Sequence, residues 1–285
     1  MSSRHASHRH AARGFTLLEA VLVITLIGIV AAIVGVFIKA PIDAYVGQGR
    51  RAELTDTADT ALRRIAREVQ RALPNSVRLD ASGTVLEFLP VSAAGRYRAA
   101  PDASGGHDFL DFNSSTDNSF EVLGPSVTAA SGDQLVVYNL GLPGADAYSG
   151  ESRRALTSTG AALSTLSYTV GGTQFPFASP SNRFQIVSTP VTFLCSPLAG
   201  GGNGTLRRYG GYAIQATQPT SAVAAPLSTL SGANNAVLAT NVDSCSFVYN
   251  ASSSSRNALL TMTLKLTAST ESITLLHQIH LDNSP

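Results

Sequence analysis

Phe15–Ile38 reads FTLLEAVLVITLIGIVAAIVGVFI, an almost unbroken apolar run that carries one carboxylate, Glu19. At about 1.5 Å per helical residue the run is roughly 36 Å long, enough to cross a bilayer core of about 30 Å. A carboxylate in such surroundings is costly unless it is protonated or paired. We therefore expect a membrane-spanning helix over residues 15–38 and treat Glu19 as a functional residue.

A short basic leader, residues 1–14, precedes this run. It contains Arg4, Arg9 and Arg13, three histidines and no acid. The positive-inside rule keeps such a leader in the cytoplasm and sends the rest of the chain across the membrane. We therefore predict a single-pass protein of the inner membrane with a periplasmic C-terminal domain, in contact with membrane lipid.

Two other N-terminal signals share these features. A secretory signal peptide also combines a basic start with an apolar stretch, but this run is longer than a typical h-region. The plausible cleavage position for a signal peptide, after Ala40, has Lys39 before it and Pro41 behind it. A plain uncleaved anchor gives no reason for Gly14-Phe15 or for Glu19.

The junction of leader and run, Arg13-Gly14-Phe15-Thr16-Leu17-Leu18-Glu19, resembles the processing site of type IV prepilins and the related pseudopilins. The resemblance implies that a prepilin peptidase cleaves between Gly14 and Phe15 and methylates the new amine of Phe15. It also implies that Glu19 neutralises the terminal amine of a neighbouring subunit during filament assembly.

The charges at this site support that role for Glu19. An α-amino group is cationic at neutral pH and methylation keeps its charge, so its attraction to a carboxylate in a poorly hydrated helix bundle is substantial. Removing one member of such a pair leaves the other buried and alone. The alternative is a Glu19 side chain that snorkels toward the cytoplasmic headgroups.

Several later segments extend the resemblance to the minor pilins of mannose-sensitive hemagglutinin (MSHA) pilus biogenesis: Ala44–Gln48, Ala61–Arg67, Arg71–Arg78, Leu86–Pro90 and Gly95–Arg98. This resemblance implies partners beyond the peptidase. They are other major and minor pilins, contacted through the N-terminal helix, and the assembly platform of the inner membrane.

An amphipathic pattern continues the helix over residues 39–74, where Pro74 is expected to end it. Apolar residues recur at three- and four-residue steps, and basic residues lie mostly elsewhere around the helix. This apolar row consists of Leu54, Ala58, Ala61, Leu62, Ile65, Val69 and Leu73. We expect it to pack on the globular domain.

Residues 75–285 contain short β segments separated by turn residues. The clearest are Leu260–Leu266 and Ile273–Leu281, where apolar and polar residues alternate as in antiparallel sheet. Weaker candidates are Leu135–Tyr138, Phe184–Val187, Val191–Cys195, Arg208–Ile214 and Phe247–Tyr249. The predicted fold class is α+β: a long N-terminal membrane-spanning helix packed on one mainly antiparallel β domain, as in type IV pilins.

Charge and cysteine content limit the function of the exported part. Without the three leader arginines the 20 basic residues become 17, against 19 acids, so the mature chain carries a charge of about −2. This disfavours nucleic acid as a partner. Cys195 and Cys245 are the two cysteines, and in an oxidising periplasm they are candidates for one disulfide, the alternative being two separate buried thiols.

No catalytic constellation is evident in the sequence, so we expect a protein that is not an enzyme and has neither a cofactor nor a metal site. Calcium binding by an acidic loop is a minor alternative, because its spacing departs from an EF-hand. The oxygen ligands would come from Asp108, Asp111, Asn113, Asp117, Asn118 and Glu121. An ordinary polar, turn-rich loop explains these residues equally.

The sequence thus favours a minor type IV pilin of the MSHA type, incorporated in the initiation or tip complex of a pilus. A minor pseudopilin of type II secretion is the nearest alternative. A membrane-anchored periplasmic binding protein or enzyme is the alternative from a different class.

Overall fold

The computed structural model describes residues 14–106, 108–171, 173–200, 202–251 and 257–284, except for the side chains of Ala40 and Ala251. Most of the leader, with Arg4, Arg9 and Arg13, lies outside these residues. The chain divides into two compact units, residues 1–50 and 51–285. Helix α1, Leu17–Val69, contributes to both.

The part of α1 in the first unit is apolar and solvent-exposed. Its best 18-residue window has a mean hydropathy of 3.1, and none of that window is buried. By length and composition this segment suffices to cross a membrane. The helix continues through Pro41.

The part of α1 in the second unit buries one face in the core of the globular domain. The predicted apolar row is confirmed, because each of its helical members is buried together with Ala66. The helix ends at Val69, earlier than the predicted stop at Pro74. Beyond it, Leu73 N donates to Leu89 O (2.7 Å) and Val91 N donates to Arg71 O (2.8 Å). Arg71 and Leu73 thus use their backbone groups for hydrogen bonds to an extended segment, and these groups are no longer available for another helical turn.

Sixteen strands follow in the described residues, and every named pairing is antiparallel, which confirms the predicted fold class. They are β1 Arg78–Leu79, β2 Val85–Phe88, β3 Val91–Tyr97, β4 Ser119–Leu123, β5 Val127–Ala129, β6 Gln134–Val136, β7 Arg153–Ala155, β8 Gly160–Leu163, β9 Thr165–Ser167, β10 Arg183–Val187, β11 Val191–Ser196, β12 Thr205–Tyr209, β13 Asn235–Thr240, β14 Val242–Ala251, β15 Asn257–Ala268 and β16 Glu271–Asp282. Two short 3₁₀ turns, Leu227–Thr229 and Gly232–Asn234, lie between β12 and β13.

Two sheets share a core with α1. One has the order β1-β2-β11-β12-β13 and the other the order β14-β15-β16. Their inward residues, among them Phe88, Phe193, Leu260 and Met262, form one cluster with the buried face of the helix. This cluster is the larger core of the domain.

The chain between β2 and β11 forms a separate lobe, which we call the inserted lobe, residues 91–187. It contains a six-stranded sheet of order β7-β6-β10-β3-β4-β9 and the pair β5-β8. Its own aromatic core includes Tyr97, Phe120, Tyr168 and Phe184. Leu73 and Leu89 pack with Tyr148 and Val187 where the lobe meets the rest of the domain. The insertion accounts for the large size of the β region.

The longest predicted strands agree with the structure, whereas three shorter ones differ in extent. The predicted Phe247–Tyr249 is the middle of a longer strand, β14, which has ten residues. Leu135–Tyr138 was expected as a strand, but β6 ends at Val136, and Tyr138 has a positive φ of 52°. The predicted Arg208–Ile214 corresponds to β12, which starts at Thr205 and ends at Tyr209. There the chain turns, since Gly211 has φ +78° and Gly210 N donates to Asn234 O (3.1 Å).

Candidate processing and assembly site

The bond between Gly14 and Phe15 lies in non-helical backbone directly before α1. Phe15 is 72% exposed. A Cβ added at Gly14 would meet no atom within 4 Å. The main chain at the predicted cleavage position is therefore accessible, as a peptidase requires.

Thr16 caps the N-terminus of α1. Glu19 N donates to Thr16 Oγ1 (3.3 Å), and Ala20 N donates to Thr16 O (3.1 Å). A hydroxyl that accepts from the third helical N–H is the arrangement of an N-cap residue. The role of Thr16 was not predicted, although Thr-x-x-Glu before an apolar run is a recognised signal for it.

Glu19 lies in the first turn of α1, where the partial positive charge of the helix end favours an anion. Among the described residues its carboxylate has no hydrogen-bond or ion-pair partner. The predicted partner is the amine of Phe15 from a neighbouring subunit, which exists only after cleavage. The pairing of Glu19 therefore stays a prediction.

Thr25 places a second polar group in the apolar run. Its hydroxyl lies 3.0 Å from Val21 O and 2.9 Å from Leu22 O, so it donates back to the preceding turn. Such a bond satisfies the hydroxyl within the helix and lets it face an apolar environment. In this segment Glu19 is thus the polar side chain that its own helix does not satisfy.

Cys195 on β11 and Cys245 on β14 are joined by a disulfide. Their Cα atoms lie 6.6 Å apart, within the usual range for this bond. The bond connects the two sheets that pack against α1. Both cysteines belong to the structural core and not to the N-terminal site.

A second carboxylate, Glu87 on β2, lies inside the globular domain with its side chain fully buried. Arg78 Nε donates to its Oε2 (2.8 Å), and Tyr212 Oη donates to its Oε1 (3.0 Å). The remaining donors of Arg78 bond Ala216 O (2.6 Å) and Gln215 O (2.9 Å). Burial raises the pKa of Glu87, and the attraction of Arg78 opposes that rise without cancelling it.

This buried network is satisfied by groups of the fold itself. The Arg78 guanidinium also stacks over the ring of Tyr148, 3.6 Å from its centroid, and Tyr148 Oη donates to Ser76 O (3.0 Å). Every member therefore has a partner inside the fold. Its effect is to fasten β1 and β2 to the loops that follow β12 and β6.

The acidic loop forms an internally bonded turn. Asp111 N donates to Asp117 Oδ2 (2.8 Å), and Asn113 N donates to Asp111 Oδ1 (2.9 Å). Arg98 and Glu121 form an ion pair at 2.7 Å. Burial raises the pKa of Asp117, with a further contribution from nearby carboxylates. The hydrogen bonds suit a polar turn, and calcium binding by this loop stays the minor alternative.

Comparison with known proteins gives one result for this N-terminus. Residues 9–35 match the family model described as a prokaryotic N-terminal methylation motif. The chain carries a prepilin-type N-terminus. The match supports a type IV pilin or pseudopilin, with cleavage by a prepilin peptidase and assembly with other pilins. It does not separate an MSHA pilin from a pseudopilin of type II secretion.

Neither the curated proteins nor the solved structures give a match. The support for the family therefore comes from the N-terminal segment, since the model covers residues 9–35 alone.

Proposed function

We propose that this chain is a non-enzymatic minor type IV pilin of the MSHA type. In this proposal it is anchored in the inner membrane, processed between Gly14 and Phe15, and recruited through its helix into the initiation or tip complex of a pilus. The supporting observation is the prepilin-type motif, in which an accessible Gly14–Phe15 bond directly precedes a capped apolar helix. The likeness of later segments to the minor pilin MshO supports the finer assignment.

The bulk of the globular domain supports a position at the end of a filament. The inserted lobe adds a six-stranded sheet to the sheets that pack on α1. A subunit in a regular shaft is surrounded by copies, whereas a capping subunit needs space on one side only. The large domain is therefore easier to accommodate at a tip.

Processing is tested by expressing the full chain with and without a prepilin peptidase and measuring the intact mass and N-terminal sequence. We expect a mature chain that begins with methylated Phe15. Gly14→Val is the matched variant: a Cβ there meets nothing in the structure, so a loss of cleavage reports on the peptidase and not on folding. A chain that keeps Met1 or begins after Ala40 in the presence of the peptidase contradicts the proposal.

Location is tested separately by gold labelling of the globular domain on sheared filaments. Label at filament ends supports the tip position, and regular label along the shaft contradicts it.

Deletion of the gene distinguishes the filament systems. Loss of piliation is expected for an MSHA-type pilin, whereas loss of protein secretion with intact pili identifies a pseudopilin.

A further inference from the structure

A polar cleft of about 360 Å³ lies where the inserted lobe joins the rest of the domain. Pro90 to Ser92 line it where the chain enters the lobe, and Ser188 and Thr189 line it where the chain leaves. Arg71, just after α1, and Arg208, on β12, complete its charged wall. Clefts between structural lobes are frequent sites of ligand binding, and this volume lies near the lower end of the usual range.

The cleft carries an excess of positive charge. Glu68 is the one acid among the described lining residues, and it is already paired twice: Arg208 Nε donates to its Oε2 (2.6 Å) and Arg64 Nε donates to its Oε1 (3.1 Å). Arg71 Nη2 makes one long bond, to Val91 O (3.3 Å). No carboxylate in the described part of the chain pairs with Arg71. Its guanidinium therefore keeps donors for an external acceptor.

Two glycines give the cleft its shape. A Cβ at Gly210 would lie 3.1 Å from Arg208 Nη1. A Cβ at Gly211, which has φ +78°, would lie 2.6 Å from Asn234 Nδ2. Any other residue at these positions displaces the guanidinium or the amide. The Gly-Gly pair thus leaves space for two nitrogen donors at the rim of the cleft.

We propose that this cleft binds the carboxylate of an aspartate or glutamate side chain from another polypeptide. Arg71 and Arg208 would supply charged donors, and Asn234 would supply a neutral one. The planar guanidinium matches a planar carboxylate. With Glu68 already present, the surplus charge suits a singly charged group better than a doubly charged phosphate. This inference does not depend on whether the chain assembles into a pilus.

An acidic sugar fits this cleft less well. Phe88 is the one aromatic residue among the described lining residues, and its side chain is fully buried. The cleft therefore offers no exposed ring on which a sugar could stack. A flexible acidic side chain needs no such surface.

Binding is tested by ligand-observed NMR on the full chain in nonionic detergent. The probes are the capped peptide Ac-Gly-Glu-Gly-NH₂, its glutamine counterpart, galacturonic acid and inorganic phosphate. We expect the glutamate peptide to bind at least about tenfold more tightly than the glutamine peptide, because the latter forms no charged hydrogen bond. Added salt should weaken that binding.

The variants locate the site. Arg71→Gln should weaken binding of the glutamate peptide about tenfold, whereas Arg63→Gln, an exposed helix arginine that pairs with Asp59 outside the cleft, should leave it unchanged. Gly210→Ala should also weaken binding, by shifting Arg208 without changing any charge. Equal binding of the two peptides, tighter binding of phosphate or of the sugar acid, or equal effects of Arg71→Gln and Arg63→Gln would overturn the proposal.

Discussion

Two glutamates of this chain stand among apolar residues in the sequence, and the fold treats them differently. Glu87 is buried in the globular domain with Arg78 and Tyr212 bonded to its two oxygens. Glu19 lies in the apolar part of α1, and the described residues give its carboxylate no partner. Each is flanked by apolar residues, but within the described part of the chain only Glu87 has partners for its carboxylate.

The contrast separates a structural acid from one that needs an external explanation. A carboxylate removed from water is tolerated when it is paired and hydrogen-bonded. The fold supplies those partners for Glu87, so that residue needs no further function. In the proposed function the partner of Glu19 comes from a neighbouring subunit.

The largest expected effect follows from removing the partner of Glu87. Arg78→Ala leaves a buried carboxylate unpaired, and we expect it to lower the free energy of unfolding of the globular domain by about 3–5 kcal/mol. Urea unfolding of the full chain in detergent, followed by tyrosine fluorescence, measures this, since the protein has 8 tyrosines and no tryptophan.

The double variant Arg78→Ala/Glu87→Gln is the control for this prediction. It removes the unpaired charge, so it should be more stable than Arg78→Ala alone. If Arg78→Ala lowers the free energy of unfolding by less than about 1 kcal/mol, the ion pair does not stabilise the globular domain.

Glu19→Ala should reduce filament assembly and leave the stability of the globular domain unchanged, the reverse of the effect expected for Arg78→Ala. We expect unchanged membrane insertion and unchanged unfolding of the globular domain, but at least a tenfold loss of incorporation into filaments, because the subunit amine would be left unpaired. Quantitative blotting of sheared filaments against total membranes measures the ratio. Normal incorporation of Glu19→Ala would contradict the pairing, and Glu19→Asp tests whether charge alone suffices.

The raised pKa of Glu87 predicts that the free energy of unfolding of the globular domain depends on pH, with a smaller effect than those above. Because burial raises its pKa above the ordinary value of 4.5, the native state holds this proton more tightly than the unfolded state does. Its stabilising contribution is therefore fully present below pH 4.5 and is lost as the pH rises through the raised pKa.

Glu87→Gln isolates this contribution. The free energy of unfolding of the wild type minus that of Glu87→Gln should fall as the pH rises above 4.5 and through the raised pKa of Glu87. Urea titrations at several pH values measure it. A difference that rises with pH would show that Arg78 lowers the pKa of Glu87 below its ordinary value.

The smallest effect concerns the cap before Glu19. Thr16→Ala removes the acceptor of Glu19 N–H and should destabilise the first turn of α1 by about 0.5–2 kcal/mol. Amide hydrogen exchange should accelerate at residues 19–20 and stay unchanged in the globular domain. Thr16→Ser retains the hydroxyl and should restore protection. Equal exchange in all three proteins would exclude the cap.

Sequence patterns located the elements that have a clear period. The apolar row from Leu54 to Val69 follows the helical period, and residues 260–266 alternate with the period of a strand, so both agree with the structure. Nine strands of the described residues were not predicted: β1 to β5, β7 to β9 and β13. Seven of these nine have five residues or fewer, which is too short for an alternation to show.

The N-terminal site was predictable because its residues are consecutive, whereas the interior of the domain was not. Glu87 stands between Leu86 and Phe88, as a solvent-facing residue of a strand would, yet all four residues of β2 are buried. Its partner Tyr212 lies 125 positions away in the chain. The cleft could not be predicted for the same reason, because Arg71, Arg208 and Asn234 are brought together only by tertiary folding.

The chain enters the inserted lobe after β2 and returns from it into β11, and these two strands are neighbours in one sheet. Phe88 at the end of β2 pairs directly with Val191 at the start of β11, although the whole lobe lies between them in sequence. Topologically the lobe is an enlarged hairpin connection, so its length is free to vary while the register of the surrounding sheet is kept. The domain is thus modular at this point, with an exchangeable outer part on a scaffold whose geometry is set by its packing against α1.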